Sequence, residues 1–254
     1  MSATSAAPGL AASYAPPQEG VAGSGRRIQS LDLLRGVIMV LMAIDHVRVY
    51  AGAPAGATTA GVFFTRWVTH FCAPGFVFFA GTAAFFHGRK LGDTTALARY
   101  LATRGLMLVI LELTLIRFSW TFNVAYDGFL LAGVIWMLGW CMVALAALVR
   151  LRPATVGWIG VGIVMLQQLF SILMRVVPDT ARPAVGRVWE FVYPAGMDAA
   201  GGMSVLYVLV PWIGVMMAGY GFGAIMTMDA DRRSRILVRL GLGMTAAFIA
   251  VGTA

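Results

Sequence analysis

Long apolar segments separated by short charged connections constrain the fold of this chain more than any other feature. Most are close to the roughly 20 residues that a helix needs to cross the hydrocarbon core of a bilayer. Strands of a membrane barrel are about half as long and alternate in polarity, which these segments do not. The sequence therefore predicts an all-α fold, a polytopic transmembrane helical bundle of about seven helices. The apolar segments span residues 31–50, 66–86, 101–119, 128–149, 154–174, 204–227 and 236–254.

The small number of charged residues and their positions support this prediction. Charged residues make up 12% of the chain, against roughly 25% in soluble domains. The net charge is +8, but the basic residues form short clusters between apolar segments, which excludes a nucleic-acid-binding surface. Because Lys and Arg accumulate on the cytoplasmic side of a membrane, the N-terminus is predicted to be cytoplasmic and the connections 51–65, 118–127 and 175–203 external. The clusters are Arg26/Arg27, Arg89/Lys90/Arg99, Arg150/Arg152 and Arg232/Arg233/Arg235/Arg239.

The two ends of the chain differ from the apolar region between them. Residues 1–28 are rich in Ala, Pro, Gly and Ser and lack the apolar core of a signal peptide. They are predicted to form a disordered cytoplasmic tail before a transmembrane domain at 29–254. The last segment ends at Ala254 without a polar flank. Either that helix ends at the far membrane face or the domain is truncated at its C-terminus, and the sequence allows both.

Metal and disulfide chemistry have little support in the sequence. The chain has two cysteines and three histidines, without a Cys/His cluster of the kind that binds structural zinc. Cys72 and Cys141 both lie inside apolar segments, where cysteine behaves as a small hydrophobic residue. We therefore expect neither a disulfide nor a metal site.

The first apolar segment contains charged residues that a simple membrane anchor would not have. Arg35 and Asp45 enclose nine residues, which is roughly 14 Å of helix, less than the roughly 30 Å of the hydrocarbon core. At least one of them must lie within the membrane or line a wet cavity, which favours a functional interior. His46 follows Arg35 by eleven residues, or three turns plus roughly 20°, so both side chains lie on one face, roughly 16 Å apart along the axis.

Two motifs add a resemblance to a known family. The residues Leu31-Asp32-x-x-Arg35-Gly36, with His46 eleven residues after Arg35, resemble the first helix of the transmembrane acyltransferase superfamily, which includes the acyltransferase-3 enzymes. The segment from Phe71 to Gly81, which contains Pro74, resembles a second-helix signature of the bacterial DUF1624 proteins. Those proteins are related to heparan-alpha-glucosaminide N-acetyltransferase. The match covers about residues 28–88.

The resemblance implies an activity and a location. It implies a membrane-bound acyltransferase of a bacterial-type inner membrane that moves an acetyl group from cytoplasmic acetyl-CoA to an extracytoplasmic glycan or amino sugar. His46 is then the general base, since imidazole exchanges protons near neutral pH. The animal heparan enzyme has an asparagine at the position of His46 and an acidic residue at that of His70, so the heparan substrate is not carried over. A homo-oligomer is left open.

Other residues of the first two helices have alternative interpretations. His70 can act as a second base, as an oxyanion donor or as a hydrogen-bond partner between helices. Asp45 can orient His46 only if the helix unwinds there, because adjacent residues of a helix do not face each other. Arg35 can bind the phosphates of coenzyme A, as a guanidinium does well, or it can pair with Asp32, three residues before it.

A small-solute transporter or channel is the alternative function. It would use a polar path through Asp32, Arg35, Asp45, His70 and Glu112. A bundle with only a structural or partner-binding role is the third hypothesis.

Glu112 lies inside the third apolar segment, where a lone carboxylate should face a partner. The candidate partners are Arg66, Arg104 and Arg117.

The external connection 175–203 is long for a helical bundle, and such loops are often functional. It combines aromatic and acidic side chains, which suit a sugar acceptor and equally suit an aromatic belt at the membrane surface. These residues are Trp189, Glu190, Phe191, Tyr193 and Asp198.

Overall fold

A computed structural model describes residues 29–52, 59–126, 130–178, 180–181, 185–186, 189, 191–193 and 203–252. The predicted tail at 1–28, part of the connection 51–65, and Glu190 and Asp198 lie outside these residues. In chain order the elements are α1 (Gln29–Tyr50), α2 (Ala60–Thr69), α3 (Cys72–Leu91), α4 (Thr94–Leu111), a π-helical segment (Glu112–Ile116), α5 (Arg117–Thr121), β1 (Leu130–Ala132), α6 (Val134–Leu148), α7 (Pro153–Met165), α8 (Gln167–Val176), β2 (Met203–Val205), α9 (Leu209–Met226) and α10 (Ala230–Gly252).

Glycines allow the helices of the core to approach until their backbones touch. Helix α9 contacts both α3 and α7, while α4 packs against α6. A Cβ added to Gly139 of α6 would lie 2.6 Å from the Gly105 carbonyl oxygen of α4. One added to Gly214 of α9 would lie 2.7 Å from the Gly160 carbonyl oxygen of α7. Close approach through small residues is the usual way in which helices associate in membranes.

The contact between α3 and α9 adds a hydrogen bond to this packing. Thr82 Oγ1 donates to the Gly219 carbonyl oxygen over 2.9 Å, inside the protein. A side chain on Gly219 would collide with the backbone of Phe78, and one on Gly81 would collide with the backbone of Met216. Hydrogen bonds between helices in a membrane are worth about 0.6 kcal/mol on average, so the close backbone contact is the larger constraint on this pair.

The described chain is helical as predicted, apart from two strands of three residues each. β1 and β2 pair in parallel, with Leu130 opposite Met203 and Ala132 opposite Val205. They precede α6 and α9, and their pairing brings the beginnings of these two helices together. The backbone hydrogen bonds of the pair satisfy polar groups that a non-helical segment would otherwise leave without partners.

The predicted apolar segments are helical, but several are interrupted. A turn at His70–Phe71 divides 66–86, the π-helical segment lies within 101–119, and a break at Leu166 divides 154–174. By length and composition, two stretches of the described chain could cross a membrane, Ala60–Leu91 and Leu209–Met226. A helical bundle is thus confirmed, while the number of membrane crossings stays a prediction. Helix α1 is long enough at 22 residues, but it carries charged residues near both ends.

Candidate active site on the first helix

Helix α1 contacts the bundle along one narrow face. Half-buried side chains recur along this face, while most of the apolar residues on the other sides of α1 are exposed. Helix α1 approaches α3 at Gly75, where an added Cβ would lie 2.6 Å from Ile38 Cδ1. Because Asp45 follows Ile38 by seven residues, it lies on the same face. The half-buried residues of α1 are Leu31, Ile38, Leu41, Met42, Asp45 and Arg48.

Asp45 is therefore directed towards the bundle, where it forms an ion pair with Arg48. Arg48 donates from Nη2 and Nε to the Asp45 Oδ1 atom, over 3.0 and 3.3 Å. The Arg48 side chain is 14% exposed. The Cys72 thiol at the start of α3 and the Tyr207 phenol that precedes α9 lie within electrostatic range of Asp45. These four residues form what we call the Asp45 cluster.

Sequence reasoning missed Tyr207 and Cys72 as neighbours of Asp45. Tyr207 lies on the short connection between β2 and α9, with its ring 5.4 Å from that of Trp212. Only the pairing of β1 with β2 and the packing of α9 against α3 bring it to the end of α1. No local motif in the sequence carries this information.

His46 lies beside the Asp45 cluster but faces away from it. Helix α1 continues through both residues, so Asp45 does not orient the His46 ring, as the predicted alternative with an unwound helix would require. The His46 ring is exposed, and its Nδ1 atom lies 2.7 Å from the Met42 carbonyl oxygen. A carbonyl only accepts, so this hydrogen bond assigns the proton to Nδ1. Nε2 then carries the lone pair that can accept a proton.

His70 repeats this arrangement at the end of α2. It is exposed, and its Nδ1 atom contacts the carbonyl oxygen of Arg66, four residues earlier. The same argument leaves Nε2 of His70 as an acceptor. Helices α1 and α2 are in contact, so the structure places the two candidate bases on neighbouring helices.

Arg35 is exposed near the opposite end of α1 and lines a small cavity. The cavity has a volume of about 40 Å³ and is otherwise lined by Ile38, Phe76, Phe79 and Ala80. Asp32 lies three residues before Arg35 in the first turn of α1, and the pairing of these two residues stays a prediction. The regular helix from Gln29 to Tyr50 keeps Arg35 and His46 on one edge of α1, as their spacing predicts.

Glu112 binds backbone amides and not the arginine that the sequence suggested. It is 4% exposed, at the start of the π-helical segment. Its carboxylate accepts hydrogen bonds from the backbone N–H groups of Gly133, Ile135 and Trp136. It therefore caps the N-terminus of α6, where unpaired N–H groups and the helix dipole favour a negative charge. A carboxylate used in this way gives no support to a polar path through the bundle.

Arg117, one of the predicted partners of Glu112, orders the chain that follows α5. It is 3% exposed and donates from Nη1 to the Asn123 carbonyl oxygen over 2.9 Å and from Nη2 to the Ala125 carbonyl oxygen. Its guanidinium lies 4.2 Å from the centre of the Tyr126 ring. These carbonyl dipoles and the π-face stabilise the charge of the desolvated arginine.

Aromatic residues of the connection 175–203 pack against α6 and α8. The Phe191 ring lies 5.8 Å from that of Trp136, and the Trp189 ring stacks on Phe170 at 6.1 Å. Trp189 Nε1 is buried and has no hydrogen-bond partner among the described residues. The choice between a sugar site and a membrane belt stays open.

Comparison with known proteins identifies the family. The model of the family described as "Heparan-alpha-glucosaminide N-acetyltransferase, catalytic" matches residues 27–253. The match includes all helices described above and confirms the resemblance predicted from the first two. No curated protein and no solved structure matches the chain. In the described part of the chain, no three His, Cys, Asp or Glu side chains are grouped so that they could hold a metal ion.

Proposed function

The chain belongs to the heparan-alpha-glucosaminide N-acetyltransferase catalytic family, and from this premise we propose that it is a membrane-bound acetyltransferase. The acetyl donor is acetyl-CoA on the cytoplasmic side, and the acceptor is an extracytoplasmic glycan or amino sugar. The membrane is of the bacterial inner-membrane type, and the bundle crosses it about seven times.

The surface of the bundle supports this placement in a membrane. Large apolar side chains are exposed along α1 and α10, among them Met39, Val40 and Phe248 at 57%, 61% and 74%. A soluble monomer rarely exposes so continuous an apolar surface. The basic pair Arg89 and Lys90 in the last turn of α3 supports a cytoplasmic location for that end.

The observation that carries the proposal is the edge of α1 that presents Arg35 and His46. His46 has a free Nε2 atom and no described contact that covers it. In the reaction, the acceptor nitrogen or oxygen attacks the thioester carbonyl carbon, and its proton passes to Nε2 of His46. The carbon–sulfur bond then breaks, and coenzyme A leaves as a thiolate that takes up a proton. A general base of this kind contributes roughly 10²–10⁴ in rate.

Arg35 is proposed to bind the phosphates of coenzyme A, and Asp32, three residues before it in the first turn of α1, is the acidic residue that could orient its guanidinium. It is exposed, and a guanidinium offers a planar set of donors that matches phosphate oxygens. The roughly 16 Å of helix between Arg35 and His46 corresponds to a donor whose phosphates lie far from its thioester. His70 is the second candidate for the base, and Asp45 acts on the site through its ion pair with Arg48.

The test is acetyl transfer by the purified full chain in lipid nanodiscs. The protein is incubated with radiolabelled acetyl-CoA and a panel of glycans and amino sugars. We expect transfer to at least one member, and at least a hundredfold loss of rate in His46→Ala. His87→Ala is the matched control, because His87 packs against Tyr100 away from the proposed site. Absence of transfer to every acceptor, or full activity of His46→Ala, would contradict the proposal.

A further inference from the structure

Helix α2 exposes its apolar side and turns its polar side towards the protein, the reverse of a helix that faces water. Phe63, Phe64 and Trp67 are 71%, 65% and 55% exposed, and α2 has no buried residue. At 100° per residue, these three side chains lie within an arc of roughly 100°. They form what we call the aromatic face of α2.

The polar residues of α2 lie on its other side. Thr65, Arg66 and Thr69 are all half-buried. Thr65 Oγ1 donates to the Gly61 carbonyl oxygen over 2.8 Å, and Thr69 Oγ1 to that of Arg66 over 3.3 Å. Both hydroxyls are thus satisfied within the helix. The aromatic face contains one polar group, the Trp67 indole N–H, and indole is the side chain most typical of the membrane–water boundary.

The length of α3 excludes α2 from the hydrocarbon core. Arg89 and Lys90 lie in the last turn of α3, so they mark one boundary of the membrane. From Cys72 to Arg89 the helix is roughly 26 Å long, which nearly fills a core of roughly 30 Å. A straight helix from Ala60 to Leu91, 32 residues, would be roughly 48 Å long. Helix α2 must therefore lie at or beyond the opposite boundary.

Other aromatic side chains are exposed at the same end of the bundle. Tyr50, the last residue of α1, stacks on Trp120 of α5, with ring centres 5.6 Å apart. Both are exposed, at 69% and 48%. Helix α1 contacts α2, so these two rings and the aromatic face of α2 lie at the same end of the bundle, and aromatic side chains are enriched at the boundaries of membrane proteins.

We propose that α2 is an interfacial helix whose aromatic face inserts into the boundary between headgroups and acyl chains of the outer leaflet. The partner of this surface is the lipid bilayer itself. This inference rests on the membrane placement in the proposed function. It follows that His70, at the C-terminus of α2, is held at the level of the lipid headgroups.

The depth of spin labels in nanodiscs tests this proposal on the full chain. In a background with Cys72→Ala and Cys141→Ala, labels are attached at Ala60→Cys, Phe63→Cys, Phe64→Cys and Trp67→Cys. Collision with oxygen and with a water-soluble nickel complex gives the depth of each label. Val40→Cys is the control, because Val40 is 61% exposed near the middle of α1.

We expect the four labels on α2 at one depth, within about 3 Å of each other and about 5–10 Å below the phosphates, and Val40 much deeper. A transmembrane α2 would separate Ala60 from Trp67 by roughly 10 Å, which would overturn the proposal. Frequent collision with the nickel complex at all four sites, or protection from both reagents by a second copy of the chain, would also overturn it. A shallow Val40 label would instead contradict the membrane placement in the proposed function.

Discussion

The core helices and helix α1 differ in how closely they pack against their neighbours. In the core, α3, α7 and α9 meet through glycines, and a single added Cβ would collide with the backbone of the facing helix. Along α1, nothing lies within 4 Å of a Cβ added to Gly36, and most side chains are exposed. The first candidate base, His46, and the candidate donor-binding residue Arg35 lie on α1, while the core supplies few ionisable groups.

This difference separates residues that maintain the fold from residues that are free to bind substrates. A side chain of the core cannot move without moving a helix, because the interior is close-packed. A side chain on the edge of α1 can meet acetyl-CoA or an acceptor without displacing protein. Substitutions in the two regions should therefore affect different measurements, and the following variants test that separation.

The largest effect is expected at Gly219. Gly219→Leu forces a side chain into the backbone of Phe78, and we expect more than the roughly 1–3 kcal/mol that ordinary overpacking costs, with loss of monodisperse protein in detergent. Gly36→Leu is the control and should leave the melting temperature unchanged or higher, since leucine favours helix over glycine by up to about 1 kcal/mol. Size-exclusion profiles after heating measure both. If the two variants were equally stable, the difference in packing between the core helices and α1 would be contradicted.

The second-largest effect is expected at His46, on the rate of acetyl transfer and not on the stability of the protein. His46→Asn should lower acetyl transfer by roughly 10²–10⁴, because asparagine forms hydrogen bonds but cannot accept a proton at neutral pH. The melting temperature should stay unchanged, since the ring is exposed. His70→Asn is assayed beside it. If His46→Asn keeps its activity and His70→Asn loses it, then the base is His70.

Substitution of Glu112 should lower the stability of the protein, with a smaller effect on the rate of acetyl transfer. Glu112→Leu leaves the N–H groups of Gly133, Ile135 and Trp136 without an acceptor, and we expect a loss of about 2–3 kcal/mol. Glu112→Gln retains one acceptor oxygen and should lose less. Denaturation in detergent, followed by circular dichroism, measures the difference. A Glu112→Leu protein with native stability but no activity would instead place the carboxylate in the reaction.

The smallest effect is expected at Arg35. Arg35→Lys keeps the charge but loses the planar pair of donors, so KM for acetyl-CoA should rise by about tenfold or less, with kcat nearly unchanged. Arg104→Lys is the control, since Arg104 lies over the Tyr100 ring, 5.7 Å from its centre. A fall in melting temperature with unchanged KM would show that Arg35 supports the fold and does not bind the donor.

Sequence reasoning succeeded where the signal is local and periodic. The α1 boundaries and the shared edge of Arg35 and His46 follow from spacing along one helix, and the family follows from motifs in the first two apolar segments. It failed where contacts join distant segments. The partners of Glu112 are backbone amides of α6, which have no signature in side-chain identity, and Tyr207 reaches Asp45 only through the packing of α9. The break at His70–Phe71 was hidden because α2 and α3 are both apolar.

The π-helical segment from Glu112 to Ile116 changes which residues of the third apolar segment lie on the same face of the helix. The Arg117 N–H bonds the Glu112 carbonyl oxygen, a pairing five residues apart that inserts one extra residue into a turn. In an unbroken α-helix, those two side chains would diverge by roughly 140°, yet both are buried. Deleting one residue from this segment would restore the regular turn and leave the two side chains four residues apart, which is roughly 40° in an α-helix. Arg117 would then keep its place beside the carbonyls of the following loop while Glu112 stayed on α6. For this reason, an alignment with a helix that lacks the π-helical segment compares residues in the same orientation only if it places a one-residue gap near this point.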